Sequence, residues 1–160
     1  MAPLPQLLEE DIRAIETALL ELLQKSEASA ALLIDKGGFL ITKTGAVQDF
    51  DTVTLAALAA ASFAATQGLA GLVSETNFYS VYQQGETNSL LVHDIDDNCL
   101  LTIVFKASIG VGSVKYYAGN TIKQVARQLK RARERDPGKG LDLSMLNMAD
   151  PSPIFRRKSA

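Results

Sequence analysis

The sequence contains few of the residues from which catalytic and metal sites are most often built. Of its 160 residues, one is a cysteine (Cys99) and one is a histidine (His93). A single cysteine excludes an internal disulfide and a cysteine-based zinc site, and a single histidine excludes a multi-histidine site. There is no tryptophan and only 6% of the residues are aromatic, so the core must be mostly aliphatic.

Two segments that could target the chain to a membrane also lack the necessary composition. Residues 1–30 are unlike a signal peptide because acidic side chains interrupt them, namely Glu9, Glu10, Asp11 and Glu16. The Ala-rich segment 53–73 is unlike a membrane span, since alanine is only weakly hydrophobic and polar residues interrupt the segment. We therefore expect a cytoplasmic protein.

The composition that is present fits one soluble domain. The hydrophobic fraction is 47% and the charged fraction 21%, near the average for globular proteins. The net charge of -2 conceals an asymmetry, because residues 1–100 carry a formal charge of -10 and residues 101–160 a charge of +8. This asymmetry indicates either a charged partner on one side or two solvated helix faces of opposite sign.

The periodicity of apolar residues predicts helix, two strands, helix, three strands, helix, which is an α/β (α+β) class. The two longest segments are amphipathic or Ala-rich helices, and a Gly-containing turn at 35–38 joins the first two strands. Asp51 is the expected N-cap of the second helix. The predicted ranges are helix 7–23, strands 28–34 and 39–42, helix 53–73, strands 78–83, 89–95 and 99–105, and a helix around 114–132. Residues 136–160 are expected to form a flexible C-terminal tail.

No motif in the sequence predicts a catalytic, metal or cofactor site. Gly110-Val111-Gly112 lacks the third glycine of a dinucleotide loop, and no Walker lysine is nearby. His93 and Asp94 are adjacent in a predicted strand and face opposite ways. The carboxylates after that strand lack the spacing of a calcium loop. We expect no enzymatic activity, no cofactor and no metal.

The last helix carries a basic end, made of Lys123, Arg127, Lys130, Arg131, Arg133 and Arg135. Nucleic-acid binding is one interpretation, but the sequence pI is about 5.4 and no aromatic residues alternate with the basic ones. We favour the other interpretation, that cations near a helix C-terminus interact favourably with the helix dipole, and expect no nucleic-acid partner.

The most informative segment is the Ala-rich helix, which carries two parallel stripes. The leucine stripe is Leu55, Leu58, Ser62, Ala65, Leu69 and Leu72, and the small-residue stripe is Ala57, Ala61, Ala64, Gly68 and Gly71. Small residues at helical spacing let another backbone approach closely. Packing on the chain's own sheet requires one stripe, which leaves the other, the small-residue stripe, for a partner. Packing of both stripes within the chain is the alternative.

At this point the residues resemble a known family. The order of elements over about residues 8–131 is similar to that of the roadblock (dynein light chain) family, and the local sequence looks closest to its bacterial MglB-like members. Four segments carry the resemblance: Ala31–Leu40, Asp51–Leu72, Gln84–Glu86 and Ser108–Val111. The resemblance implies a roadblock domain over residues 1–135, with a central antiparallel five-stranded sheet and helices on its faces.

The resemblance also implies a function. MglB-like proteins are homodimers that bind the small Ras-like GTPase MglA and stimulate GTP hydrolysis without inserting an arginine finger, in bacterial cell polarity or motility. The sheet would continue through the third strand of each subunit, with the Ala-rich helices side by side. The expected interface residues are therefore those of the small-residue stripe together with Tyr79 and Val81. The absence of Arg and Lys from residues 53–73 agrees with this mechanism.

Two other functions remain open at the level of sequence. A scaffold or adaptor of the same fold would bind partners without changing the rate of a GTPase. A small-molecule sensor would need a pocket lined by convergent polar groups. The identity of the partner, the direction of regulation and the role of residues 136–160 do not follow from the sequence.

Overall fold

The structure of the chain, a computed structural model, describes residues 3–135. It contains the predicted order of elements. Their bounds are α1 Glu9–Ser26, β1 Ala30–Asp35, β2 Leu40–Gly45, α2 Thr52–Ala70, β3 Ser80–Gln83, β4 Asn88–Asp94, β5 Cys99–Lys106 and α3 Val111–Arg135. A short 3₁₀ turn, Gly71–Val73, extends α2. The predicted tail, residues 136–160, lies outside the described residues.

The five strands form one antiparallel sheet in the order β2-β1-β5-β4-β3. The predicted five-stranded sheet is therefore confirmed. β1 and β5 are nearly all apolar and lie inside the sheet, where both of their faces are covered. β2 and β3 are the edges.

Alternation along the inner strands builds a core on each face of the sheet. Leu33 of β1 and Ile103 of β5 pack against α1 and α3, whereas Leu32 and Leu100 pack under α2. Successive side chains of a strand point to opposite faces, so one strand serves both cores. The molecule therefore has three layers, with two helices on one side and α2 alone on the other.

α1 and α3 are joined at one end by a buried carboxylate. Asp11 is fully buried and accepts two hydrogen bonds of 2.8 Å from the guanidinium of Arg135. It also accepts a bond of 2.6 Å from Gln128 Nε2 and one of 2.8 Å from the amide of Leu8, which starts the helix. The pKa of Asp11 is lowered to about 2, and the hydrogen bonds from Arg135 are the largest cause.

α2 is placed by its cap and by the β1–β2 turn. Asp51 Oδ1 accepts from the amides of Val53 and Thr54 at 3.1 Å, so the predicted N-cap is confirmed. Gly38, with φ of 99°, lies so close to α2 that a Cβ there would be 3.2 Å from the Cα of Ala57. A glycine is needed at this position both for the backbone conformation and for the close approach.

The side of α2 that packs on the sheet is neither of the two stripes. Its buried residues are Thr52, Ala56, Ala59, Ala60, Phe63 and Ala70. The expectation that one stripe covers the sheet was therefore wrong. Because α2 is apolar on all sides, helical periodicity could not identify the inner face; the position of Phe63, the one large buried side chain of α2, marks it.

Candidate protein-interaction surface

The small-residue stripe lies on the outside of α2. All five of its members, Ala57, Ala61, Ala64, Gly68 and Gly71, are exposed. A Cβ added at Gly68 or Gly71 would meet nothing within 4 Å. Packing of the chain on itself therefore does not require glycine at either position, even though glycine weakens a helix by about 1 kcal/mol relative to alanine.

The leucine stripe is also mostly exposed. Leu58 is 64% exposed, Leu69 57% and Leu72 82%, while Leu55 and Ser62 are half-buried. The two stripes together form what we call the α2 face, a strip of apolar surface along the whole helix. A monomeric soluble protein rarely exposes so continuous an apolar surface, which is typical of an interaction site.

The α2 face carries no charge. Residues 52–73 include no Asp, Glu, Lys or Arg. By length and composition this helix could cross a membrane, and less than a third of it is buried. However, Ala56, Ala60 and Phe63 pack on the chain's own sheet, so one side of the helix is part of a folded core. Depletion of charge is also what distinguishes the centre of a protein interface.

The edge strand β3 lies beside the α2 face. It pairs with β4 on one side, and the sheet order leaves its other side without a strand among residues 3–135. Tyr79, just before the strand, is 70% exposed, and its carbonyl accepts from the amide of Asp94 at 2.8 Å. Val81 is half-buried against the core under α2. Unpaired strand edges are ready templates for pairing with another chain.

Gln67 couples α2 to this edge. Its Nε2 donates to the carbonyl of Phe78 at 2.7 Å, and its Oε1 accepts from the amide of Phe78 at 3.3 Å. The side-chain amide thus satisfies both backbone groups of one residue, as a neighbouring strand would. Gln83 Nε2 lies 3.5 Å from Ser62 Oγ at the other end of β3. The role of Gln67 could not be predicted, because a glutamine within an Ala-rich helix is equally compatible with solvent exposure.

The polar side chains near this surface are committed to one another. A cavity of about 300 Å³ beside α2 is lined by Lys36, Phe63, Gln67 and Asp94 among others. Lys36 Nζ lies 2.7 Å from Asp94 Oδ1 and 5.8 Å from the centre of the Phe63 ring. Since Lys36 pairs with Asp94 and Gln67 holds Phe78, this cavity does not present the free convergent polar groups that a sensor site needs.

The two chemically distinctive single residues lie elsewhere. Cys99 is fully buried in the core under α1 and α3, and burial raises the pKa of its thiol. Asp96 and Asp35 raise that pKa further. His93 Nδ1 lies 2.7 Å from the carbonyl oxygen of Asp94. The Asp94 side chain is paired with Lys36, and Asp96 accepts from the amides of Asn98 and Cys99 in the β4–β5 turn.

The elements and the sheet order are those of a known family of proteins. A model of the roadblock/LC7 domain matches residues 14–105. The chain belongs to the roadblock/LC7 family. No curated protein is similar enough to this roadblock chain to count as a match.

Solved structures narrow the similarity within the family. The roadblock chain is 27% identical to MglB of Myxococcus xanthus, with a TM-score of 0.73, and the match covers 79% of this chain and 95% of that one. It is 31% identical to the gliding protein MglB of Thermus thermophilus, with a TM-score of 0.73 and coverage of 82% and 99%. An MglB with a tetrameric arrangement is 32% identical, with a TM-score of 0.74 and the same coverage. The fold is that of a regulatory roadblock module similar to MglB.

Proposed function

We propose that this chain is a non-catalytic regulator that forms a homodimer, binds a small Ras-like GTPase of the MglA type and stimulates GTP hydrolysis. Its place is the cytoplasm, in bacterial polarity or motility. The observation that carries the proposal is the uncharged, apolar α2 face beside an unpaired strand edge, in a chain similar to MglB.

The homodimer follows from the position of β3. Antiparallel pairing of β3 with its copy would satisfy the unpaired edge and extend the sheet across two subunits. The same pairing would bring two α2 helices close together, because Gln67 holds α2 beside Phe78. Tyr79 and Val81 would lie at the joint, and the two α2 helices side by side would present their small-residue stripes as a platform for the GTPase.

The way in which hydrolysis is stimulated follows from the charges that α2 lacks. With no Arg or Lys in residues 52–73, this helix cannot supply an arginine finger to a GTPase. An apolar platform acts instead by selecting the conformation of the GTPase in which its own catalytic groups are in place. Such a platform stimulates only as far as it binds that conformation more tightly than the others.

The test is a substitution that blocks the α2 face without disturbing the fold. Ala64→Arg places a long cationic side chain on an exposed position of α2. Ala14→Arg makes the same change at an exposed position of α1, on the opposite side of the sheet, and is the matched control. We expect circular dichroism and thermal melting of both variants to stay near wild type. Binding and stimulation of an MglA-type GTPase should be lost only in Ala64→Arg, because a buried unpaired charge costs several kcal/mol at an interface.

Other outcomes would change the assignment. If Ala64→Arg unfolds the protein, the stripe belongs to the core. If the variant only becomes monomeric and still binds the GTPase, the stripe is a subunit contact. Normal binding and stimulation by the dimeric variant would show that the GTPase docks elsewhere. Binding by wild-type protein without any change in hydrolysis would indicate an adaptor.

A further inference from the structure

The second exposed surface of the molecule is on α3, on the other face of the sheet from α2. The first five basic residues of this helix are all exposed: Lys115, Lys123, Arg127, Lys130 and Arg131. Arg127 is four residues after Lys123, and Lys130 and Arg131 are three and four residues after Arg127, so the four lie along one side of the helix. Tyr116, which is 78% exposed, is seven residues before Lys123 and lies on the same side. We call Tyr116, Lys123, Arg127, Lys130 and Arg131 the basic ridge; it is about 22 Å long at 1.5 Å per residue.

The charge of the ridge is largely uncompensated within residues 3–135. Lys130 has only a distant partner, Glu134 Oε1 at 3.9 Å, and no ion pair joins Lys123, Arg127 or Arg131 to a described carboxylate. The other two arginines of the same helix behave differently, since Arg133 pairs with Asp96 at 3.4 Å and Arg135 with Asp11 at 2.8 Å. The cations of α3 that lie toward the protein are therefore neutralised and those that point outward are not.

Attraction to a helix C-terminus does not explain the whole ridge. The dipole effect is confined to the last turn of a helix. Lys123 and Arg127 lie two to three turns before Arg135, the last described residue of α3. The alternative of a charged partner on one side of the molecule is therefore favoured for these positions.

The neighbouring helix limits the width of the partner. The outward charges of α1 are of mixed sign and are paired along the helix, Glu9 with Arg13 and Glu21 with Lys25. A broad anionic plane lying across both helices would meet these carboxylates as well as the ridge. A narrow anionic chain lying along α3 would meet only the basic residues and the ring of Tyr116.

We infer that the basic ridge binds an acidic segment of a partner protein, a stretch rich in Asp and Glu that runs along α3. Its carboxylates pair with Lys123, Arg127 and Arg131. Next to the ridge, a cleft of about 480 Å³ between α1 and α3 is lined by Tyr116 and Tyr117 and by the ion pair of Glu21 and Lys25, which marks the side limit of the segment. Because the ridge and the α2 face are on opposite sides of the sheet, both can be occupied at once.

The probe is a fluorescein-labelled oligo-glutamate peptide of about 15 residues, long enough to span the ridge as a helix. Binding to the full chain is followed by fluorescence anisotropy. The test variant is Lys123→Glu with Arg127→Glu. The control is Lys43→Glu with Lys106→Glu, which changes the net charge equally at exposed positions on the α2 side of the sheet, away from the ridge. A protein of net charge -2 repels such a peptide overall, so binding must come from a local site.

The expected result is binding that weakens with added salt, a dissociation constant at least about tenfold higher in the ridge variant, and little change in the control. The inference would be overturned if the wild-type protein did not bind the peptide, or if both variants lost binding equally. It would also be overturned if the ridge bound phosphatidylglycerol vesicles or duplex DNA but not the peptide. Because the GTPase assay uses the α2 face, failure here leaves the proposed regulation unaffected.

Discussion

The buried carboxylate of Asp11 shows how much depends on single residues in this fold. Its position in the first turn of α1 is visible in the sequence, where three acidic residues begin the helix. Its burial is not visible, because Arg135 and Gln128 come from more than a hundred residues later. The same holds for Gln67 and Phe78: the residue types are ordinary, and only the fold brings them together.

The protein should lose stability in acid because Asp11 becomes protonated. Its folded pKa of about 2 is below the unfolded value, so the unfolded chain takes up the proton first. The stabilisation is present above about pH 4 and is lost as the pH falls toward 2, and a shift of about two units corresponds to about 2.5 kcal/mol.

Asp11→Asn should therefore lower the free energy of unfolding by about 2 kcal/mol at neutral pH. It should also flatten the dependence of stability on pH below about 4, measured by urea denaturation. The control is Glu9→Gln, which alters an exposed ion pair and should change little. A steep acid slope retained in Asp11→Asn would assign the acid sensitivity to other carboxylates.

At the scale of elements, helical and strand periodicity predicted every helix and strand, with differences of a few residues at the ends. The pattern was sufficient because β1 and β5, buried on both faces, are nearly continuous apolar runs and each of α1 and α3 has one polar side. For α2 the pattern failed to identify the inner face, since the helix has apolar residues on all of its sides. The small-residue stripe was recognised from its spacing, whereas the leucine stripe was assigned to the wrong side.

The two sides of α2 should respond differently to truncation. Phe63 is 4% exposed and fills the core between α2 and the sheet, so Phe63→Ala should cost about 3–5 kcal/mol of stability. Leu72 is 82% exposed, and Leu72→Ala should leave the melting temperature almost unchanged. Denaturant unfolding of the two variants checks this difference, and a large loss in Leu72→Ala at low protein concentration would place that residue in a fold-supporting contact.

Gln67 should support the edge strand without being part of the core. Gln67→Leu keeps the size of the side chain but removes both hydrogen bonds to Phe78. We expect faster amide hydrogen exchange at Phe78 and the start of β3, with exchange in β1 and β5 unchanged. Thr66→Val, which removes a hydroxyl bonded within α2 itself, is the control. Equal protection of β3 in wild type and Gln67→Leu would mean that the strand is held by β4 alone.

For the whole molecule, the sheet separates surfaces of different chemistry. The α2 face is uncharged and apolar, the β3 edge offers unpaired backbone, and the basic ridge faces the other way. The charge asymmetry of the sequence appears in the structure as a difference in pairing. The acidic residues of α1 are largely paired, while the cations of the ridge point outward. Three surfaces of this kind suit a module that connects several partners.

A dimer should be the form in solution. Light scattering at micromolar concentration should give twice the 17.2 kDa mass of the chain. Ser80→Pro removes an amide that, in the β3–β4 register, points away from β4 toward the unpaired edge, and should weaken the dimer because proline cannot donate where strands pair. Lys43→Pro on the opposite edge strand, β2, is the comparison and should leave the mass unchanged. A monomeric mass for wild type would remove the basis for a shared sheet.

The most direct test of the central claim is single-turnover GTP hydrolysis by an MglA-type GTPase at increasing concentrations of this chain. The account predicts that the hydrolysis rate rises and saturates, and that Ala64→Arg abolishes the rise while Ala14→Arg does not. A rate unaffected by saturating wild-type chain, or stimulated equally by Ala64→Arg, would contradict the α2 face as the regulatory surface.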